Sequence, residues 1–302
     1  ITCRGATCGT INFSEPKSWI TGNAMVAKPI DNRINKRFLF HLLKASDLSS
    51  VITGAAQPQI TRASLSPFKI PLPPITVQSE IETKIEQFEK IITGAKLVVE
   101  NYKPQIDIKP EWEMVELGEE IDFVSGLTLS IPECEDENGT PIISMKEVKE
   151  DGSLNLSEIR KIKIPNKNYA ILQKGDLLFN WRNGSKELVG KTAYFDLDGE
   201  YVFASFCLGI RVKKRLNSKF LWVLLNQYRI EGKYMAFMRQ NVNGLFNREE
   251  LKILKIPLPS LKEQESIIYQ IEKEQQLVSA SKELVNIYEQ KIKDEINKLW
   301  EE

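Results

Sequence analysis

Two polar stretches in the second half of the chain carry side chains suited to contacting DNA. They run from Arg182 to Lys191 and from Arg239 to Arg248. Guanidinium and ammonium groups bond phosphates, and arginine, asparagine and glutamine also form bidentate hydrogen bonds with base edges. An ordinary polar surface would look similar, because Arg-Asn-Gly is a common β-turn and asparagines often satisfy loop backbone. The candidate contacts are Arg182, Asn183, Ser185, Lys186, Lys191, Arg239, Asn241, Asn243 and Arg248.

A second chemistry is conceivable at Asp136 and Glu147-Val148-Lys149, which imitate the Asp…Glu-x-Lys metal site of nucleases. Glu-x-Lys also occurs elsewhere, for example at Glu82, Glu231 and Glu289, as expected by chance in a chain with 27% charged residues. Asp136 lies in an acidic, glycine-containing stretch that we predict to be a turn. The chain has neither a G-x-G loop for a nucleotide-like cofactor nor the Asn-Pro-Pro-aromatic motif of methyltransferases. We expect no catalytic residue, metal or cofactor in this chain.

The elements that must position the polar stretches are repeated along the chain. From Val77 to Tyr102 the apolar residues recur in a 4-3-4-3 rhythm, which is typical of a helix with a partner helix. A displacement of 186 residues reproduces this pattern, and PheLysIleProLeuPro at 68–73 becomes LeuLysIleProLeuPro at 254–259. A pair of helices within one core would rarely recur along the chain with the same proline segment before it. A helix that separates two equivalent domains must recur in this way.

Landmark residues show where the two copies differ. Arg4 corresponds to Arg182, Phe38 to Phe220 and Lys69 to Lys255, so two loops are each four residues longer in the second copy. One scaffold with two different loops fits two different binding surfaces. Residues 112–178 have no counterpart before Ile1, so we expect part of the first domain to be missing. The first copy places these candidates at the matching positions: Arg4, Thr7, Gln57, Gln59 and Arg62.

Composition excludes several classes of protein. The net charge is zero, but 111–158 hold 14 acidic and 2 basic residues, whereas 159–259 hold 19 basic and 8 acidic residues. The basic segment permits a phosphate-facing surface without requiring one. No apolar run is long enough for a membrane span, so we expect a cytoplasmic protein. Four scattered cysteines and one histidine argue against a disulfide framework, a histidine metal site or a catalytic triad.

Local patterns predict the remaining elements. Residues 1–30 read as strands and tight turns, 54–61 as a loop, and 71–74 as a rigid proline segment before the first long helix. A capping box of Ser260 and Glu263 opens the last helix. Other predictions are a buried helix at 38–44, strands at 141–144, 159–164 and 201–212, a buried strand and exposed loop within 174–184, and a helix covering 220–228.

Three motifs resemble the DNA-specificity subunit of type I restriction-modification systems. They are TrpGluMetValGluLeuGlyGlu at 112–119, LysGlyAspLeuLeuPhe at 174–179 with the Arg-Asn-Gly turn that follows, and LysIleProLeuProSerLeuLysGluGln at 255–264. Their order and duplication make the resemblance specific, and it covers the whole chain. It implies a mixed α/β fold in which two long antiparallel, coiled-coil-like helices separate two target-recognition domains.

The resemblance also implies a domain organisation and partners. The expected domains are the C-terminal part of a first recognition domain (1–73), a spacer helix and linker (74–110), a second recognition domain (111–259) and a C-terminal spacer helix (260–302). The expected partners are double-stranded DNA, two methyltransferase subunits that would hold S-adenosylmethionine, and restriction subunits. The rival interpretation is a non-catalytic coiled-coil scaffold whose polar loops bind protein.

Overall fold

The computed structural model describes residues 1–302 except 55, 129, 165–170, 184, 236–245 and 302. The chain forms two compact units, one of Ile1–Tyr102 with Leu277–Glu302 and one of Lys103–Gln276. We call these the first and the second unit. Within the described residues, no helix is long and apolar enough to cross a membrane.

The first unit is mainly helical. Its helices are α1 (Lys36–Ala45), the 3-10 turn Ser49–Val51, α2 (Arg62–Leu65), α3 (Ile75–Asn101) and the C-terminal part of a long last helix. The predicted seam helix is confirmed, because α3 buries Ile81, Ile85, Ile92 and Ala95. The predicted strands in residues 1–30 reduce to isolated bridges such as Thr2 with Ala24, since turns at Gly5 and Gly9, with φ of 78° and 89°, interrupt the backbone.

The two long helices pair antiparallel within the first unit, as the sequence predicts. Phe88 packs edge-on against Tyr288, and Lys84 and Lys96 form ion pairs with Glu295 and Glu289 at 2.7 and 2.8 Å. Ile81 and Ile85 share a core with Phe38, Leu42 and Ile296. His41 on α1 is 2% exposed, and burial lowers its pKa to about 4, so it is a neutral core residue at pH 7.

The second unit combines sheets and helices. Its strands are β1 (Met114–Glu116), β2 (Ile121–Val124), β3 (Glu135–Ile143), β4 (Arg160–Ile162), β5 (Leu177–Asn180), β6 (Thr192–Tyr194), β7 (Val202–Phe203), β8 (Cys207–Val212) and β9 (Lys255–Pro257). Its helices are α4 (Leu117–Glu120), α5 (Ser218–Ile230) and α6 (Arg248–Lys252), with 3-10 turns at Ile131–Glu133 and Lys186–Leu188. The last helix, α7, spans Leu261–Glu301.

Three sheets organise these strands. The largest is antiparallel in the order β2-β8-β5-β6, and the others are β4-β3-β7 and the pair β1-β9. β5 is buried at all four positions, and its apolar side chains Leu177 and Phe179 join the main core with Phe220 and Leu224 of α5. This arrangement fixes the end of β5, which leads into the first polar stretch.

Two local predictions for the second unit are wrong. The acidic stretch around Asp136 is not a turn, because β3 runs through it and pairs with β4 across a register shift between Glu135 and Thr140. Gly139 permits this approach, since a Cβ there would lie 2.3 Å from the carbonyl oxygen of Ile162. The single strand predicted at 201–212 is divided into β7 and β8 by a turn closed by the Cys207 N–H on the Ala204 carbonyl at 3.0 Å.

A buried glutamine makes the same three hydrogen bonds at the start of each long helix. Gln78 accepts the Asn35 N–H and donates to the carbonyls of Arg33 and Pro73, each at 2.8 Å. Gln264 accepts the Asn217 N–H at 2.7 Å and donates to the carbonyls of Arg215 and Pro259 at 3.0 and 2.8 Å. We call each set a glutamine clamp. Asn35 and Asn217 also cap α1 and α5, so each clamp joins a long helix to a short one.

The clamp predicts a large stability effect from a change that keeps side-chain volume. Gln264→Met leaves one N–H and two carbonyls without their partner in a site that is 0% exposed. Since an unsatisfied buried group costs about 1–3 kcal/mol, we expect the free energy of unfolding to fall by roughly 2–4 kcal/mol. Urea denaturation followed by tryptophan fluorescence measures this.

Gln270→Met is the matched control, because the same residue type on the same helix is exposed and bonds only Glu274. We expect its effect to stay within about 0.5 kcal/mol. Equal losses in the two variants would contradict a structural role for the clamp.

Candidate nucleic-acid interface

The first polar stretch of the second unit is a closed loop on the end of β5. Asn180 is 0% exposed; its N–H donates to the Lys191 carbonyl at 2.8 Å, and its own carbonyl accepts the Gly190 N–H at 2.7 Å. Its side-chain Nδ2 donates to the Leu188 carbonyl at 3.1 Å. The indole of Trp181 donates to the Ser205 carbonyl at 3.0 Å. These bonds hold the base of the loop and leave its tip in solvent.

The tip carries three exposed candidates, Arg182, Ser185 and Lys186. Asn183 is half-buried, and its Oδ1 accepts the Ser185 N–H at 3.1 Å, so part of this side chain satisfies loop backbone. A 3-10 turn, Lys186–Leu188, returns the chain to the core. The tip can therefore present a guanidinium, an ammonium and a hydroxyl group to a ligand.

Lys191 lies inside the unit and not at the loop tip. It is 7% exposed, and its ammonium donates to the Val148 carbonyl at 2.7 Å. Burial lowers its pKa below the ordinary value. In this geometry Lys191 cannot reach a phosphate, because its charge is directed into the core. Its role is to support the loop base that it follows.

The second polar stretch is described only at its C-terminal end. Arg239, Asn241 and Asn243 lie outside the described residues. The Phe246 N–H donates to the Trp181 carbonyl at 3.0 Å, which brings Phe246 beside the loop that carries Arg182. Arg248 follows at the start of α6, where its guanidinium lies over the Phe123 ring at 4.9 Å.

The first unit repeats this arrangement. The Ile60 N–H donates to the Cys3 carbonyl at 2.9 Å, matching Phe246 and Trp181, and Arg4 forms a backbone bridge with Gln59. Thr61 caps α2 with Ser64 as Asn247 caps α6 with Glu250. In both units, therefore, the residue before the landmark arginine is hydrogen-bonded to the segment that precedes a short capped helix. The candidates Arg4, Thr7, Gln57 and Arg62 are exposed, and Gln59 is half-buried.

Most of the first four-residue insertion of the second copy falls in this loop. Gly9 and Gly190 close the loop in each unit with φ of 89° and 88°, and their N–H groups bond the carbonyls of Thr2 and Asn180. Three of the four inserted residues therefore lie before Gly190. A Cβ on Gly190 would lie 2.3 Å from Tyr234 Cε2, so this residue must be glycine for the longer loop to close against the core.

In the basic segment 159–259, fewer cationic side chains are available to bind phosphates than the composition indicates. Of its 19 basic residues, 17 are described, and eight of these form ion pairs with carboxylates of the same unit: Lys174, Arg211, Lys213, Arg215, Lys219, Lys233, Lys252 and Lys255. Several partners come from the acidic segment 111–158, so the charge asymmetry partly holds the unit together. Among the described side chains, Arg182, Lys186 and Arg248 form no ion pair within 4.0 Å.

The carboxylates that resemble a nuclease metal site accept hydrogen bonds from neighbouring residues in the chain. Asp136 lies in β3, where its Oδ1 accepts the Asn138 N–H at 2.9 Å. Glu147 is 5% exposed, and its Oε2 accepts the Ser144 N–H and hydroxyl at 2.8 and 2.6 Å. Within the described part of the chain, no group of three His, Cys, Asp or Glu residues could hold a metal ion.

The sequence interpretation missed Asn180 and Trp181, which anchor the loop. The available signal is an asparagine at the end of an otherwise apolar strand, LeuLeuPheAsn. A buried polar side chain at such a position usually satisfies backbone groups. Here it sets the path of the loop that contains Arg182.

Comparisons with known proteins agree with these features. The sequence profile described as "Type I restriction modification DNA specificity domain" matches residues 1–101 and 109–297. A type I restriction enzyme specificity subunit of Haemophilus influenzae is 23% identical over 90% of this chain and 72% of its own length. The type I restriction enzyme MjaX specificity subunit of Methanocaldococcus jannaschii is 23% identical over 88% of this chain and 70% of its length.

Two solved structures have a similar fold. The HsdS subunit from Thermoanaerobacter tengcongensis has a TM-score of 0.51 at 23% identity, covering 87% of this chain and 69% of that one. A chain from a study of complex assembly and conformational transition of the type I R-M system has a TM-score of 0.59 at 21% identity, covering 89% and 72%.

The exposed position of Arg182 predicts a loss of DNA affinity in Arg182→Ala. If the guanidinium binds a guanine, affinity for the preferred DNA should fall by about 1–3 kcal/mol and preference at one base should relax. If it binds a phosphate, all DNA should bind more weakly and the salt slope should fall by about one unit. Titrations at several salt concentrations distinguish these results.

Arg182→Lys is the matched variant, because it keeps the charge and removes the planar fork. It should restore phosphate binding but not base recognition. Unchanged affinity of Arg182→Ala for preferred and random DNA would remove this residue from the interface.

Proposed function

The chain belongs to the type I restriction modification DNA specificity family, and from this premise we propose that it reads a two-part DNA site. Its role is that of a DNA sequence-recognition subunit. The proposal adds that the loop of Arg4 reads one part of the site and the loop of Arg182 reads the other. The observation that carries it is the matching backbone pair, Cys3 with Ile60 and Trp181 with Phe246, beneath two loops of different length.

The same scaffold with different loops gives two related surfaces that recognise different bases. Each loop begins immediately after a residue whose carbonyl accepts a backbone hydrogen bond, so the base of each loop is held while its tip is free to vary. Arginine, asparagine, glutamine and serine at the tips supply donors and acceptors for base edges and phosphates. A long antiparallel helix pair then serves as the spacer between the two surfaces.

The proposed partners follow from the family. DNA and other subunits of a restriction-modification system are the partners of such a subunit. We propose that the chain directs two methyltransferase subunits and the restriction subunits to the recognised site. Catalysis and S-adenosylmethionine binding would then belong to those partners, while this chain supplies recognition. The coiled-coil scaffold is the less favoured interpretation, because the family profile covers the polar loops as well as the helices.

Selection from a pool of randomised duplex DNA tests the two-part site. We expect two short conserved motifs separated by a gap of fixed length and variable sequence. Arg4→Ala should relax one motif and Arg182→Ala the other, each leaving the opposite motif unchanged, because the two arginines occupy equivalent places in different units. A single uninterrupted motif, or loss at the same motif in both variants, would contradict the proposal.

A further inference from the structure

Three segments of the second unit meet at one end of its largest sheet. Asn180, the last residue of β5, pairs with Cys207, the first residue of β8. Val124, the last residue of β2, pairs with Gly209, which lies two residues further along β8. Because these neighbouring strands are antiparallel, the loop after β5, the turn before β8 and the segment after β2 lie at the same end. The loop after β5 is the one that carries Arg182.

Hydrogen bonds fix the backbone of the turn before β8, residues 204–207, which we call the β8 turn. The Ser205 N–H donates to the Leu127 carbonyl at 2.9 Å, which joins the turn to the segment after β2. The Ser205 carbonyl accepts the indole N–H of Trp181 at 3.0 Å, which joins the turn to the base of the polar loop. The β8 turn and the polar loop are therefore parts of one hydrogen-bonded surface.

Phe206 is the exposed apolar residue of the β8 turn. It is 53% exposed, although Ala204 and Cys207 in the same turn are 4% and 2% exposed. A single exposed apolar residue is common on protein surfaces and by itself indicates no function. The position of Phe206 distinguishes it, because a turn with a fixed backbone presents the ring at the end of the sheet that also carries Arg182.

The first unit has an equivalent contact with a different residue beside it. The Cys3 N–H donates to the Asn23 carbonyl at 2.7 Å. Under the displacements of 178 and 182 residues, this bond joins the positions of Trp181 and Ser205. The residue that follows is an alanine in the first unit and a phenylalanine in the second. The attachment of the turn is thus kept while its exposed residue changes, as in the polar loops.

The charge of this end of the sheet permits contact with DNA. Residues 125–128, 180–183 and 204–207 contain one arginine and no acidic residue. Arginine binds phosphates and the major-groove edge of guanine. In the same groove thymine presents its C5-methyl group, and phenylalanine is one of the side chains that contact this methyl group.

We infer that Phe206 contacts the C5-methyl group of a thymine in the half-site that the second unit reads. The contact distinguishes an A·T pair from a G·C pair, because cytosine has no methyl group at this position. The inference rests on the proposed function, since it requires that the second unit bind DNA. It adds a residue that recognises a base by apolar contact and not by hydrogen bonding.

Replacing a thymine by deoxyuridine removes only this methyl group, so it tests the contact directly. The experiment uses the full chain and its preferred duplex, with each thymine replaced singly in the half-site that Arg182→Ala relaxes. We expect one replacement to weaken binding about three- to fivefold, the effect of leaving one methyl-sized group unburied. Fluorescence anisotropy of labelled duplexes measures the affinities.

Phe206→Ala should abolish this sensitivity. We expect the variant to bind the thymine duplex more weakly than the unaltered chain does, and to bind the thymine and deoxyuridine duplexes equally. The comparison is a ratio of two affinities of one variant, so partial unfolding of the variant would not change it.

Ile253→Ala is the matched control. Ile253 is 55% exposed, and the carbonyl of the next residue, Leu254, accepts the Leu117 N–H at the start of α4. Since α4 leads into the first residue of β2, Ile253 lies toward the opposite end of the sheet. The control variant should bind as the unaltered chain does and keep the sensitivity to deoxyuridine.

Three results would overturn the inference and leave the two-part DNA site intact. They are a half-site composed only of G·C pairs, equal binding of every deoxyuridine duplex by the unaltered chain, and sensitivity to deoxyuridine that Phe206→Ala retains. Failure of the proposed function gives a different result, because the chain would then show no preference between DNA sequences. That result would overturn both.

Discussion

The buried glutamine at the start of each long helix is the contact on which the arrangement of each unit depends. In both units it bonds the segment before a short helix, the N-cap asparagine of that helix, and the proline turn that leads into the long helix. Two chain segments more than 40 residues apart in sequence therefore meet at one amide. Because the site is fully buried, any displacement of these segments leaves polar groups without partners. The clamp thus fixes the long helix relative to the core of its own unit.

This constraint explains how the loops can differ while the scaffold stays the same. While the clamp fixes the scaffold, backbone hydrogen bonds hold the ends of each polar loop, at Thr2 and Cys3 in the first unit and at Asn180 and Trp181 in the second. Between these ends the second copy contains additional residues and a 3-10 turn. Gly190 admits the turn because it has no side chain to contact Tyr234. Loop length and composition can therefore change without disturbing the core, which is what the proposed role of these loops in DNA recognition requires.

The sequence predicts most of the helices and less of the interface. The seam rhythm and the repeated proline lead-in predict the long helix pair, because their periodicity is local information. The predicted strand at 201–212 and the turn at Asp136 are wrong, because tertiary pairing of β7 and β3 decides those segments. Lys191 shows a further limit. Its polar neighbours in the sequence predict a surface loop. In the structure its ammonium group instead donates to the Val148 carbonyl, 43 residues earlier in the chain, and no local pattern predicts such a contact. The count of basic residues in 159–259 likewise could not show which of them form ion pairs with the acidic residues of 111–158.

The central claim is that the duplicated scaffold places two separate recognition surfaces on DNA. Hydroxyl-radical footprinting of the chain on its preferred duplex tests this most directly, because it maps protein contact along the backbone at single-nucleotide resolution. The account predicts two protected tracts separated by an accessible gap. Arg4→Ala should weaken protection in one tract and Arg182→Ala in the other. A single continuous protected tract, or one that responds equally to both substitutions, would contradict it.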